Sequence, residues 1–447
     1  MATKQLAAWA QALRYDGLPL PVVDAAVRSF YNWAGCAIGG AHHPAAAIAR
    51  RSLAPFAGAP TSSVLGCQER ADAQSAALFN GVSSHVHDYD DTHLDTIIHP
   101  SGPVASALLA AAEWKRPVAG RDFVLALVAG IEAECKAGLA VWPDHYDIGW
   151  HITSTAGSIG AAVAVGKLLG LGVEQMQWAV GIAATQVTGL REQFGSMTKS
   201  FHPGRAAQNG LLAAVLASNG YDSSLQSLEA KRGWVNVVSA SNDVDALMQG
   251  LGKTWEIEKN SFKPFPCGIV IHPIIDGCIQ VRQDFSKDMA KDVSNIRKTE
   301  VSVHPLVLEL TGKKWPRTGL EAKFSVFHGA AVGLLYGKAT PAQYEDAVVQ
   351  DPVVVELRDK VNATIDNGLR PDEAHVRVEF NDGSVQEKHI EHAVGSLEVK
   401  MTNSQLKDKF LDQCTPVLGD AKAKEASEAL WRLPEVGDIA EITSLLS

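Results

Sequence analysis

The sequence predicts a mainly α protein with a large, all-helical bundle domain, built from both ends of the chain, and a smaller inserted α+β domain. Up to about Pro264 the sequence shows one helical pattern after another. Segments with β-branched residues and the alternating pattern of strands begin only beyond it. A helical pattern returns after Thr402. With 447 residues the chain exceeds what one hydrophobic core normally serves. We therefore place the helical domain at 1–265 and 400–447, and the α+β domain at 266–399.

The helical domain is predicted from segments with helical spacing and recognisable ends. An amphipathic helix opens the chain, and an apolar helix covers 122–141. Segments 154–169 and 204–219 are rich in Ala, Gly and Val, and each stops at a Gly or Asn signal. Small residues on successive helices favour close helix-to-helix contact in a buried bundle. Two further helices are expected between 402 and 433.

The inserted domain is predicted from a change of pattern. Segments 297–310 and 375–380 alternate and carry β-branched residues, so we expect strands there. Asn381-Asp382-Gly383 follows and leads into another strand-like run, which predicts a β-hairpin. Segments 324–336 and 342–349 are expected to be helices of the same domain.

The composition excludes several classes of function. A net charge of −10 without a basic run argues against nucleic-acid binding. The six cysteines are scattered without CxxC spacing, which argues against a disulfide scaffold or a structural zinc site and fits a reducing compartment. No apolar run reaches the ~18 residues that a membrane span needs. We expect a cytoplasmic protein that binds neither nucleic acid nor a membrane.

The densest polar stretch runs over 80–103, between apolar segments of small residues. It places four histidines and four aspartates within fifteen residues: His85, His87, Asp88, Asp90, Asp91, His93, Asp95 and His99. Groups this close shift one another's pKa, which is typical of functional sites. The HVHD run at 85–88 begins like a metallohydrolase ligand set, but Tyr89 and Asp90 stand where that pattern needs Asp and His. A metal site and a network of Asp turns both remain open.

A second polar group precedes the small-residue segment that starts at Gly204. Lys199, His202 and Arg205 are spaced three apart. We expect 204–207 to begin a helix, whose N-terminus attracts anions. Solvated loop cations are the alternative, but together the three cations favour an anion site.

Two more groups complete the candidates. Lys263 lies at the expected domain junction, nine residues before His272, and interdomain clefts commonly hold small molecules. Tyr146 and His151 lie between two predicted helices. For Tyr146, a half-buried packing role is as plausible as a catalytic one.

These residues together resemble the MmgE/PrpD family. The run HxxDxDDT at 85–92 and HPSG at 99–102 are similar to its signature. Further matches are His151 before an Ala/Gly-rich helix, KxxHxGxA at 199–206 and KxFP at 263–266. The family includes 2-methylcitrate dehydratases, cis-aconitate decarboxylases and iminodisuccinate epimerase, and the resemblance spans nearly the whole chain.

The resemblance implies a homodimer, the two-domain arrangement above and no required metal or cofactor. It also implies active-site roles for residues in each matched motif: Asp88, Thr92, His99, His151, Lys199 and Lys263.

The chain departs from the family pattern at three places. Leu310 stands where the decarboxylases and dehydratases usually have a tyrosine. His151 is followed by Ile-Thr-Ser-Thr instead of Pro-Thr-Gly-Thr, and six residues instead of five separate Thr92 from His99. These departures favour iminodisuccinate epimerase among the family's activities.

We therefore expect a cofactor-independent epimerase that abstracts and returns the α-proton of a small anionic polycarboxylate, iminodisuccinate. Lys199 is the expected base and Tyr146 the acid on the opposite face. Positive or polar groups would bind the substrate: Thr92, His151, His202, Arg205 and Lys263. The alternative is a 2-methylcitrate dehydratase-type lyase or a cis-aconitate decarboxylase; in a dehydratase, His99, held by Asp88, would be the acid.

Two other classes of protein are weaker alternatives. A carboxylate-binding or scaffold protein would bind anions tightly without exchanging protons. A metallohydrolase would hold a metal and lose activity with a chelator.

Overall fold

Helices dominate the computed structural model of the chain, which describes residues 1–284 and 295–447, and this confirms the mainly α prediction. Contacts between residues divide the described chain into two compact units. The first comprises Met1–Val86, Asp90–Ser261 and Asn403–Ser447, and the second His87–Tyr89 and Phe262–Thr402. Of the described helices, none is both long and apolar enough to cross a membrane.

The first unit is built from helices and short strands. Its helices are α1 Ala2–Ala12, α2 Leu20–Gly40, α3 Pro44–Leu53, α4 Ala73–His85, α5 Ser101–Lys115, α6 Gly120–Leu139, α7 Asp144–Asp147, α8 Ile152–Leu168, α9 Val173–Ala184, α10 Met197–Ser218, α11 Trp234–Val238, α18 Asn403–Leu418, α19 Asp420–Trp431 and α20 Ala440–Thr443. Its strands are β1 Ser62–Ser63, β2 Arg70–Ala71 and β3 Asp91–His93; along β4 Asn260–Phe262 the chain passes to the second unit.

The second unit combines a four-stranded sheet with helices. Its strands are β5 Ile296–Val303, β6 Val361–Ile365, β7 Ala374–Phe380 and β8 Val385–Ile390. The strand order is β6-β5-β7-β8, with β5 parallel to β6 and antiparallel to β7. Its helices are α12 His272–Gln283, α13 Pro305–Thr311, α14 Gly319–Ala322, α15 Val326–Tyr336, α16 Asp346–Val349 and α17 Pro352–Asp359.

Helix α8 is buried from Ile152 to Gly166, and helices α1, α5, α6, α9 and α10 of the first unit lie against it. A Cβ on Gly160 would lie 2.8 Å from the carbonyl oxygen of Gly130 on α6. A Cβ on Gly210 of α10 would lie 2.4 Å from the Cβ of Ala161. Since real Cβ atoms do not approach so closely, the glycines allow backbones to touch, as the small-residue pattern predicts.

Helix α10 differs from the sequence prediction. It begins at Met197 with Ser196 as its N-cap, and Pro203 and Gly204 lie inside it. The prediction that 204–207 forms a helix N-terminus is therefore wrong. Pro and Gly read locally as helix breakers, but Gly204 packs directly on Gly81 of α4, and this burial outweighs the poor helix propensity.

The predicted strand over 297–310 is only half correct. Strand β5 ends at Val303, and Pro305 then opens α13, with the His304 side chain accepting a hydrogen bond from the backbone of Leu306. The predicted hairpin is confirmed, because β7 and β8 pair antiparallel around a turn in which Gly383 has a φ of 84°.

We predict that Gly81→Ala destabilises the protein by about 1–3 kcal/mol, because overpacking forces backbones apart. The added Cβ would lie 2.4 Å from the Cα of Gly204, so α4 and α10 must separate. Urea unfolding at constant pH measures the change. Gly17→Ala is the matched control, since nothing lies within 4 Å of the Cβ it would add. Equal stability of the two variants would contradict the close-packing argument.

Candidate active site

A histidine and an aspartate from the signature stretch pair inside the first unit. His85 is the last residue of α4, one turn after the Gly81 contact. Its Nδ1 lies 2.7 Å from Oδ2 of Asp90, and both side chains are fully buried. Because a carboxylate accepts, Nδ1 carries the hydrogen. Among the described residues, no hydrogen-bond partner is found for the buried Nε2 of His85.

His99 is held in a defined orientation by the same stretch. Its Nδ1 lies 2.8 Å from the carbonyl oxygen of Asp91, 3.3 Å from Oγ1 of Thr92 and 3.6 Å from Oδ1 of Asp90. A backbone carbonyl can only accept, so Nδ1 is protonated and Nε2 of neutral His99 carries the lone pair. Its backbone N–H donates to Oγ1 of Thr153 at 3.1 Å, and this threonine is common to the Ile-Thr-Ser-Thr of this chain and the Pro-Thr-Gly-Thr of the family pattern.

Asp91 is buried behind these histidines. Its Oδ2 accepts hydrogen bonds from Oγ of Ser101, at 2.5 Å, and from Nδ2 of Asn260. Burial raises the pKa of Asp91 to about 7, an effect that the bond from Ser101 opposes and the charge of Asp90 reinforces. Asp91 therefore supports the local structure through its hydrogen bonds, and its carboxyl group is partly protonated near pH 7.

A second histidine pair joins α8 to α10. Nδ1 of His151, the residue before α8, lies 2.8 Å from Nδ1 of His202. One ring must donate and the other accept, so the pair shares one hydrogen at this contact. The backbone N–H of His151 donates to the carbonyl of Gly189, whose φ of 104° favours glycine. A Cβ on Gly189 would lie 3.3 Å from the Cβ of His151 and 3.3 Å from the Cγ of His202.

The four imidazoles form one cluster. The ring centroid of His85 lies 4.9 Å from that of His99 and 5.8 Å from that of His151. The edge of Phe194 meets His151 at 5.1 Å, and Nζ of Lys199 lies 5.2 Å from the Phe194 centroid. Lys199 is only 7% exposed. Three predicted site residues, His99, His151 and His202, thus share one buried cluster with Lys199 beside it.

Burial and neighbouring cations keep the second pair neutral. Burial lowers the pKa of His202 to about 4, with help from His85 and Lys199. Burial also holds the pKa of His151 well below its usual range, and the other histidines and Lys199 add to this. Neutral imidazoles can donate and accept hydrogen bonds, so this lining can exchange protons while Lys199 supplies positive charge.

Tyr146 and Arg205 have other surroundings. Tyr146 is buried on α7 within the hydrophobic core, and the guanidinium of Arg191 lies 4.0 Å from its ring centroid. The guanidinium of Arg205 donates to Oε1 of Gln208 on its own helix, at 2.6 Å. The described contacts give each residue a structural partner, and their predicted catalytic and binding roles remain predictions.

Asp88 and Lys263 pair with each other in the second unit. Nζ of Lys263 lies 2.8 Å from Oδ1 of Asp88, and both side chains are nearly buried. The same nitrogen donates to the carbonyl oxygens of Asp88 and Cys267, each at 3.2 Å. Asp88 has a φ of 52°, a conformation that Asp adopts more readily than most residues. The predicted role of Asp88 in holding His99 remains a prediction.

A metal could find ligands in the first unit. His85, Asp90 and His99 each offer an atom, and these atoms lie within 4.8 Å of one another. Imidazole and carboxylate are suitable ligands for Zn²⁺ or Fe²⁺. However, both Nδ1 atoms already donate hydrogen bonds to Asp90 or to the Asp91 carbonyl, so a metal would have to displace those bonds or use Nε2.

Sequence reasoning gave no individual role to His85, Asp90, Thr153 or Gly189. His85 and Asp90 lie in the signature, and their spacing of five residues was the available signal. Thr153 and Gly189 carried no signal, because their contacts form only between distant segments.

A separate cavity of 740 Å³ lies beside α9 and α10 in the first unit. Apolar and hydroxyl side chains line it, among them Ile182, Leu216, Ser223 and Trp234. No predicted site residue is among the described residues that line it. Its size alone therefore does not make it the active site.

Comparisons with known proteins agree over nearly the whole chain. Residues 4–247 match the MmgE/PrpD N-terminal domain, and residues 265–433 match the MmgE/PrpD C-terminal domain. The chain is 27% identical over 469 residues to a cis-aconitate decarboxylase of Aspergillus terreus, covering 100% of this chain and 96% of that one.

Two other relatives cover somewhat less. The cis-aconitate decarboxylase of Homo sapiens is 27% identical over 382 residues, 83% of this chain and 79% of that one. The 2-methylcitrate dehydratase of Escherichia coli K12 is 23% identical over 405 residues, 84% of this chain and 82% of that one.

We predict that His202 makes stability fall as the pH decreases from about 6.5 to about 4. An unfolded histidine takes up a proton near pH 6.5, whereas folded His202 resists protonation until about pH 4. The neutral form therefore stabilises the fold above pH 6.5, and up to about 3 kcal/mol of this is lost by pH 4.

Urea unfolding of His202→Asn, from pH 7 down to about pH 4, checks this prediction. The variant should lose less stability than the wild type on acidification. The exposed residue His42 offers the control His42→Asn, which should keep the wild-type dependence. An unchanged pH dependence in His202→Asn would contradict the assignment.

Proposed function

Because the chain belongs to the MmgE/PrpD family, we propose that it is a lyase acting on a small polycarboxylate, of the decarboxylase and dehydratase type named for its relatives. The observation that carries this proposal is the buried cluster of His85, His99, His151 and His202 with Lys199 beside it. It combines neutral proton carriers with a positive charge, which lyase chemistry next to carboxylates requires.

The comparisons favour the lyase alternative over the epimerase. The relatives named above are decarboxylases and a dehydratase, so iminodisuccinate epimerisation is not supported as the activity. At position 310 this chain has leucine where the decarboxylases and dehydratases of the family usually have a tyrosine. Leu310 packs against the hydrophobic core of the second unit and offers no proton.

Substrate binding is assigned first to Lys199. Lys199 is 7% exposed as a residue, so little water competes for its ammonium group, which then attracts a carboxylate strongly. His151 and His202 can add neutral N–H donors on the same side. Lys263 and Thr92 stay predicted substrate-binding residues on the strength of the family resemblance.

Proton transfer is assigned to His99. Its Nδ1–H donates to the carbonyl of Asp91, which leaves Nε2 as the basic atom. Dehydration removes a proton from a carbon beside a carboxylate and expels the hydroxyl, with a proton, as water. Decarboxylation releases CO₂ and delivers a proton to the carbanion that remains. His99 can carry the proton in either direction, and no bound cofactor enters this scheme.

We predict turnover of cis-aconitate or 2-methylcitrate by the purified protein. Proton NMR in D₂O should follow each compound, and iminodisuccinate stereoisomers, in parallel samples. Loss of CO₂ with deuterium uptake identifies a decarboxylase, and a new alkene signal from 2-methylcitrate identifies a dehydratase. Turnover of iminodisuccinate alone would overturn the lyase proposal.

We predict that Lys199→Ala lowers kcat/KM by about 100-fold on the substrate so identified, because a buried positive charge beside the cluster is lost. Lys4→Ala is the matched control, since Lys4 is also the third residue of its helix but is exposed. The control should retain wild-type activity. If the folded Lys199→Ala enzyme kept a kcat/KM within threefold of the wild type, the assignment of Lys199 to the site would be wrong.

A further inference from the structure

We propose that Asp90 is the positioning residue of this site and that His85 is its second proton-accepting side chain. The inference rests on the proposed function, because it assigns two further residues to the same lyase site. Its geometric basis is one carboxylate between two imidazoles. Oδ2 of Asp90 lies 2.7 Å from Nδ1 of His85, and Oδ1 lies 3.6 Å from Nδ1 of His99.

A carboxylate in this position determines which nitrogen of each ring carries hydrogen. A hydrogen on Nδ1 of His85 meets the acceptor Oδ2, whereas a lone pair there would face a negative oxygen. The Asp91 carbonyl likewise keeps hydrogen on Nδ1 of His99, and Oδ1 of Asp90 lies 3.6 Å from the same nitrogen. Both rings therefore keep hydrogen on Nδ1 and present Nε2 as the basic atom.

The surroundings of the Nε2 atom of His85 favour a role in proton transfer. It is buried, and no hydrogen-bond partner for it is found among the described residues. A buried polar atom left unsatisfied is costly, so its presence calls for an explanation. Here it belongs to a ring in edge contact with His99, at a centroid distance of 4.9 Å.

Location gives His85 access to both halves of the cluster. Its ring centroid lies 4.9 Å from that of His99 and 5.8 Å from that of His151. His151 in turn shares a hydrogen with His202. A proton accepted at Nε2 of either His85 or His99 is balanced by the single charge of Asp90.

The first experiment reads the tautomers by ¹⁵N NMR of histidine-labelled protein, with signals assigned through His85→Asn and His99→Asn. In the wild type, His85 and His99 should both show protonated Nδ1 and unprotonated Nε2. In Asp90→Ala, the acceptor that faces Nδ1 of His85 is lost, so His85 should no longer keep its hydrogen on Nδ1 alone, whereas His99 should keep it through the Asp91 carbonyl. His145 is the control, because its Nδ1 donates to the Val238 carbonyl, away from Asp90.

A protonated Nε2 on neutral His85 in the wild type would overturn the proposal, as would an unchanged tautomer of His85 in Asp90→Ala. This readout does not need turnover, so it decides the positioning role of Asp90 even if no lyase substrate is found.

The second experiment separates the bond to Asp90 from the basic atom. In His85→Asn the amide nitrogen replaces Nδ1 and keeps a donor to Asp90, while the base at Nε2 is lost. We expect kcat to fall at least about 10-fold with KM within about threefold. His145→Asn, which also keeps a donor at the Nδ1 position, should retain kcat. A folded His85→Asn enzyme with wild-type kcat would overturn the role of His85.

Discussion

Close contact between helix backbones determines where the polar residues of the first unit meet. Gly81 lies directly on Gly204, and Gly130, Gly160 and Gly210 bring α6 and α10 against α8 in the same way. Side chains that follow or precede these contacts by less than about a turn must then come together. His85, at the end of α4, reaches the cluster for this reason, as does His202, two residues before Gly204.

The interior created by this packing makes electrostatic interactions strong. Polar groups there cannot rely on water, so each needs an internal partner or a neutral state. Asp90 is paired with His85, burial raises the pKa of Asp91 to about 7 against the effect of the Ser101 hydrogen bond, and His151 and His202 remain uncharged. The result is a group of proton carriers beside one lysine, rather than a set of solvated charges.

The departures from the family pattern acquire a physical meaning in the structure. Among the residues after His151, Ser154 stands where the family pattern has glycine, and its hydroxyl donates to the carbonyl of His202. Thr153, which the pattern shares, accepts the backbone N–H of His99. Leu310 packs on an apolar core. Read as sequence, these differences favoured an epimerase. In three dimensions one of them, Ser154, bonds to the backbone of His202, and the relatives named above are decarboxylases and a dehydratase.

The sequence by itself determined the mainly α class, the β7–β8 hairpin and the polar stretch around His85 to His99, because periodicity, turn residues and local density are properties of neighbouring residues. Only tertiary structure decided that α10 runs through Pro203 and Gly204, since the Gly81 contact that stabilises it comes from a distant helix. Tertiary structure likewise decided which side chain each aspartate contacts. Asp90 and Asp91 are adjacent in sequence, but one faces His85 and the other Ser101, because hydrogen-bond partners depend on packing between segments.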